Sequence, residues 1–294
     1  MALRCALLLT VGSLWLAGCG REAAVGPLPD QEVASFDTPE SVLYDEAQDL
    51  YLVSNISGSP TGKDNNGYIA KMRPDGTVDS AWIRGGSNGV TLHAPKGMAV
   101  DDRWLYVADI DVVRKFDRVS GAPAGAVAIE GASFLNDLSV APDGELWITD
   151  TGLNPDFTPS GTAAVYVLGV DGEVRKVASG PELGLPNGIV ARDKGAYVVT
   201  WDPGSWLQVD KKGRITELLR TEHGKLDGLV RLPSGKWLCS SWDGRCLYEF
   251  NVQGGVSVVP SLEVDQPADI GFDHRRGRVL IPLFGGDRVA LRQH

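Results

Sequence analysis

Six stretches of this 294-residue chain repeat one pattern: a polar residue, a strand of alternating apolar residues, a turn carrying Asp or Gly, then a second strand of aromatic and β-branched residues. They begin at Glu40 (ESVLYDEAQDLYLVSN), Lys96 (KGMAVDDRWLYVADI), Asn136 (NDLSVAPDGELWITDT), Asn187 (NGIVARDKGAYVVTW), Asp227 (DGLVRLPSGKWLCSSW) and Asp269 (DIGFDHRRGRVLIPLF). Successive starts lie about 40 to 55 residues apart, room for four strands each, which is one propeller blade per repeat. The expected fold class is therefore all-β, a six-bladed β-propeller.

Alternation then gives the repeats a common address. The first strand of each blade lines the central tunnel, so the residue that opens it sits where six strands converge at one mouth. Glu40, Lys96, Asn136, Asn187, Asp227 and Asp269 are expected to form a ring there. Glu40, Asn136, Asn187 and Asp227 together offer two negative charges and two neutral oxygens, and with two or three waters they satisfy the six to eight oxygen contacts of Ca²⁺ or a similar divalent cation. The ring positions hold no His or Cys, which argues against zinc or copper.

The chain opens with MALRCALLLTVGSLWLAGC, one Arg followed by a short apolar run and small residues, which reads as a secretory leader over 1–18 and is too short to span a bilayer. Its end, Leu16-Ala17-Gly18-Cys19, resembles the bacterial lipobox, which implies lipidation at Cys19. Residues 19–29 then form a small, polar tether, and 30–294 the propeller. The expected location is the cell envelope, on the periplasmic or extracellular face, with the membrane reached only through the lipid. A net charge of −10 without a Lys/Arg run argues against nucleic acid and anionic membrane surfaces as partners. A monomer acting on a small-molecule substrate is the expectation.

Blade six runs out of chain after three strands, so its fourth is expected from QEVASFD at 31–37, closing the ring of sheets and leaving no open edge between the two chain ends. Two connections, 54–67 and 150–161, exceed hairpin length on the ring face and read either as lids or as surface insertions. Outside the leader remain Cys239 and Cys246, flanking an Asp-Gly turn. That hairpin places Cys246 opposite Ser241 and diagonal to Cys239, too far for a relaxed bridge, so two free thiols without a metal role are expected.

PESVLYDE, FLNDLSVAPDGELWITD, LPNGIVARDKGAYVV and KLDGLVRLPSGKWLCSS resemble, in order and at blade spacing, the four metal-bearing segments of the gluconolactonase/regucalcin (senescence marker protein) family, whose wider relatives are paraoxonase-like lactonases and the squid-type phosphofluoridase. The resemblance spans nearly all of 30–294. It implies a catalytic divalent cation, usually Ca²⁺, with Glu40, Asn187 and Asp227 as ligands, Asn136 touching metal or substrate, and Asp227 as general base or nucleophile. Sugar-lactone members carry an arginine where this chain has Phe134, which implies a less polar substrate.

Lys96 puts a cation on the ring, either to bind an anionic substrate or, as favoured here, to pair with Asp269. His93 and His223 fall in loops on the ring face, where they suit proton transfer or are surface residues. Trp82, Trp104, Trp147, Trp201 and Trp237 read as blade packing. The function expected is a lipid-anchored, Ca²⁺-dependent hydrolase of lactones, esters or phosphoesters. The alternative is a non-catalytic propeller that binds a partner, with a structural metal or none.

Overall fold

The computed structural model describes residues 28–260 and 263–294. The leader 1–18, Cys19 and most of the tether lie outside the described residues. Six four-stranded antiparallel sheets surround a central tunnel. Their innermost strands are Pro39–Asp45, Pro95–Val100, Leu135–Val140, Leu185–Arg192, Leu226–Arg231 and Gly271–Asp273. The expected closure is present: Gln31–Ala34 pairs with Arg288–Gln293 in the register Gln31↔Leu291 to Ala34↔Arg288, completing blade six. The buried Arg278 guanidinium reinforces it by donating to the carbonyls of Pro29 and Pro74.

Blades pack face to face through their alternate apolar positions, and the core is divided accordingly. Trp147, Val165, Val167, Ile189, Val198 and Leu207 fill the gap between blades three and four, while Trp206, Trp237, Tyr248 and Phe250 fill that between four and five. Cys239 and Cys246 lie buried in the latter as free thiols, with Cys246 opposite Ser241 as the hairpin register requires.

The feature that positions the site is a β-bulge at the start of the inner strands. Register breaks fall between Pro39/Ser41, Pro95/Met98, Leu135/Leu138, Pro186/Ile189 and Leu226/Leu229. A bulge turns two successive side chains towards the tunnel at different depths. Groups freed from the ladder are recaptured by hydroxyls of the second strands: Ser54 Oγ accepts from the Ser41 amide, Thr149 Oγ1 from that of Asp137 and Ser240 Oγ from that of Gly228. Thr149 and Ser240 also donate to the Asn187 and Ala268 carbonyls of the next blade.

The Asn-Gly and Asp-Gly pairs at these bulges are therefore not turn punctuation. A Cβ on Gly188 would lie 2.3 Å from the Asp227 carbonyl oxygen, and one on Gly228 would lie 2.2 Å from the Ile270 nitrogen. Glycine is needed there because neighbouring blades touch backbone to backbone. The strand-end aspartates of VADID and ITDTG shape the loops that lead into the ring. Asp109 Oδ1 accepts from the His93 and Ala94 amides, and Asp150 Oδ1 from those of Phe134 and Gly152.

Candidate active site at the tunnel mouth

Five of the six ring residues meet. Glu40, Lys96, Asn136, Asn187 and Asp227 line one small cavity of about 60 Å³ at the tunnel mouth, room for a few waters or a small ion. All five are buried.

Asp269 does not join them. The isolated bridge Pro267↔Leu283 corresponds to Leu226↔Ser241 in blade five, so Ala268 occupies the ring position and Asp269 the next one down. There it accepts from Ser41 Oγ at 2.5 Å. Ser41, Asp137 and Asp269 face a separate cavity of about 350 Å³ that opens on the opposite face. The ring of six is thus a ring of five with an alanine gap, above a second layer carrying Asp137 and Asp269.

Each ring side chain is held on one side and open on the other. Trp242 Nε1 donates to Asp227 Oδ2 at 2.7 Å, and Asn187 donates to the same carboxylate. Asn136 Nδ2 donates to Thr151 Oγ1, leaving its carbonyl oxygen free of that bond. Glu40 Oε2 and Asp227 Oδ1 are buried with no hydrogen-bond partner. A buried, unpartnered carboxylate oxygen is costly, and its persistence calls for a proton or a cation. Burial, then the charges of Asp227 and Asp269, push Glu40 well above the usual carboxylate range. Burial and Asp269 do the same to Asp227, against its hydrogen bonds from Trp242 and Asn187. Asp269, buried in the layer below, is pushed up to about 7.

Lys96 does not form the expected ion pair with Asp269, which sits a layer lower. Its ammonium donates to the Pro60 and Ala94 carbonyls at 3.0 and 3.1 Å and lies 4.4 Å from the centre of the Phe134 ring. Burial lowers its pKa to about 8, with Glu40 and Asp109 opposing. Among the described residues no three His, Cys, Asp or Glu side chains gather at metal-ligating distance; the ring offers two carboxylates and two amides instead.

Both long connections reach the cavity. Ile56 and Pro60 come from the first, Leu153 and Phe157 from the second, and with Phe134 and Thr151 they roof it. Trp201, Trp242 and Phe284 form the opposite wall. Trp201 thus lines the site instead of packing a blade, because it stands at the mouth end of its strand, Gly195–Asp202. His93 and His223 are not brought in. His93 Nδ1 accepts from the Asn65 amide and ties the first connection, and His223 is exposed with its carbonyl bound by Thr221.

The sequence model of the SMP-30/gluconolactonase/LRE-like region matches residues 38–281. No curated protein matches the chain by sequence. Among solved structures, a gluconolactonase from Xanthomonas campestris superposes with a TM-score of 0.66 at 20% identity, covering 89% of each chain. A luciferin-regenerating enzyme gives 0.66 at 13% identity, over 90% of this chain and 96% of that one. An inactive virginiamycin B lyase from Staphylococcus aureus, solved with quinupristin, gives 0.61 at 12% identity, over 90% and 98%. At these identities the likeness is one of fold.

Proposed function

The chain belongs to the SMP-30/gluconolactonase/LRE-like family, and from that premise we propose that it is a divalent-cation-dependent hydrolase of lactones, esters or phosphoesters, working at the tunnel mouth. The observation that carries the reading is the pair of unpartnered, buried acceptors, Glu40 Oε2 and Asp227 Oδ1, in one small cavity. With the amide oxygens of Asn136 and Asn187 they form a set of hard oxygen donors, which fits Ca²⁺. The two carboxylate charges match the two charges of such an ion.

A cation held there supplies Lewis-acid polarisation of a carbonyl or phosphoryl oxygen. The remaining work falls to the chain. Asp227 takes the proton of the attacking water, since Trp242 and Asn187 fix its carboxylate while Oδ1 faces the cavity. Asn136 orients the substrate, and the loop residues Ile56, Pro60, Leu153 and Phe157 keep bulk water out. Lys96, which lines the same cavity as Glu40, offsets the negative charge that develops as the tetrahedral or phosphorane-like state forms.

The test is a melting curve in chelator and then with rising Ca²⁺, run beside an Asn187→Ala/Asp227→Ala double variant. A ligand at about a hundred times its Kd adds roughly 2.7 kcal/mol of stability, a shift of several degrees. A shift in the parent and none in the double variant is the expected result, while no shift in the parent would remove the cation from the reading. The proposal includes the anchor: 1–18 as leader and Cys19 as lipid attachment at the cell envelope, supported by Leu16-Ala17-Gly18-Cys19. Cys19→Ser is expected to move the protein from the membrane to the soluble fraction.

A further inference from the structure

Resting on the hydrolase reading of the ring, we infer that the site takes an uncharged substrate with a flat apolar group, seated between the Phe134 and Trp201/Trp242 walls, and selects against polyhydroxylated or multiply anionic ones. The walls themselves are apolar and aromatic. Phe134 is 5% exposed and meets Phe157 edge-on at 6.3 Å. Facing them, Trp201 and Trp242 pack edge to face at 5.2 Å, and Trp242 continues to Phe284 at 5.1 Å. Aromatic faces of this kind reward a planar apolar guest beyond the area buried.

Most hydrogen-bond donors around the cavity are already committed, and the acceptors left open, Glu40 Oε2 and Asp227 Oδ1, are those that face the cation. Thr151 has the one hydroxyl among the lining residues; it donates to the Pro186 carbonyl and accepts from Asn136. The Trp242 N–H is spent on Asp227, and the Lys96 ammonium on two carbonyls. A substrate bearing several hydroxyls would bury them against these walls without partners, and each one left unpaired lowers affinity by about tenfold. Multiple negative charge fares no better: with Glu40 and Asp227 matched by the ion, Lys96 is the one further cation among the lining residues, and its ammonium already binds two carbonyls.

The cavity is smaller than such a guest, so admission requires the roof to part. Phe157 is placed for that role: it stands on the second long connection, 55% exposed, with its backbone in the left-handed region at φ 62°. A bulky residue rarely adopts that conformation, and here it turns the ring back over Phe134.

The test measures binding apart from turnover. Tryptophan fluorescence of the full chain is titrated with γ-butyrolactone, γ-phenyl-γ-butyrolactone and D-glucono-δ-lactone, with terbium luminescence reporting the ring separately. The phenyl lactone is expected to bind about 10- to 100-fold more tightly than the parent lactone, from burial of one aromatic side group, and the sugar lactone least of all. Phe134→Asn is expected to erase that preference with terbium binding retained. Should Phe134→Asn also lose terbium, Phe157→Ala, at the rim, must show the loss of preference alone. Equal affinity for the three lactones, no binding of any, or tighter binding of the sugar lactone would overturn the inference. A phenyl lactone that binds tightly in Ca²⁺ and is never hydrolysed would instead remove the hydrolase reading and leave the ligand class standing.

Discussion

The two ends of the tunnel hold buried carboxylates in opposite electrical states. On the face away from the ring, Arg118 clamps Asp45 side-on through Nε and Nη2, at 2.9 and 2.5 Å, and Gln48 adds two more bonds from its backbone N–H and side chain. Burial alone would raise Asp45, but those hydrogen bonds outweigh it and hold the carboxyl below its ordinary range. Beside it Arg276 joins Asp273 and Asp49, while Tyr51 donates to Asp273. At the mouth, Glu40 and Asp227 are as deeply buried, yet each keeps an oxygen with no partner and is pushed up instead of down. Paired carboxylates staple blades one, two and six together. Unpaired ones cost stability and persist only where something else is to complete them.

Exchanging the two behaviours by mutation tests that contrast. The largest effect is expected from Asp227→Asn, which removes the base and keeps the shape: hydrolysis falls by about 10²- to 10⁴-fold, while the melting temperature in chelator stays level or rises. A variant that turns over normally would end the role given to Asp227. Arg276→Met works at the other end and does the converse, leaving the buried Asp273 carboxylate short of its cation. Breaking such a pair costs about 3–5 kcal/mol, roughly 10 °C here, with turnover of the surviving folded fraction unchanged. A smaller loss is expected from Trp242→Phe, which deletes one hydrogen bond to a charged carboxylate, about 1.5–3 kcal/mol, and should lower turnover and move the acid limb of the pH–rate profile upward.

The smallest effect is one of pH. Glu40, Asp227 and Asp269 hold protons in the fold at pH values where the unfolded chain has lost them, so in chelator stability falls as pH rises from about 4 through the Asp269 value of about 7. Asp45 has the opposite sign, and its contribution is lost as pH drops below about 4. Melting temperature against pH should therefore peak on the acid side, with Ca²⁺ flattening the neutral limb and Arg118→Met the acid one. A neutral limb that Ca²⁺ leaves untouched would detach the ring carboxylates from cation binding.

The fold was legible because strand alternation and blade spacing recur six times, and because a missing fourth strand in blade six has one place to come from. Glu40, Asn136, Asn187 and Asp227 were legible for the same reason, each opening its repeat. Asp269 was misplaced by one step, since a bulge shows two neighbouring residues to the tunnel and sequence does not tell which depth each takes; Ala268, the true counterpart, carries no chemical signal. Lys96 was paired with Asp269 on the strength of charge, and two backbone carbonyls satisfied it instead. The aromatic wall was the largest omission. Trp242 and Phe284 sit in a hairpin turn and a short 3₁₀ segment, where no period links a residue to a face. A tryptophan one residue after the second strand of a repeat that opens on a candidate carboxylate was the available clue.

The closure of blade six also fixes how the molecule would bear a load. The N-terminal segment enters along the outermost strand, held by four paired residues, by Arg278 on the Pro29 carbonyl and by Gln293 on that of Leu28. Tension applied from that side reaches the short clasp first and the tunnel last. The clasp acts as a mechanical fuse: in a pulling experiment its release is expected as a separate low-force event before the blades unravel, and rupture in one step would show that the ring carries the strain as a whole.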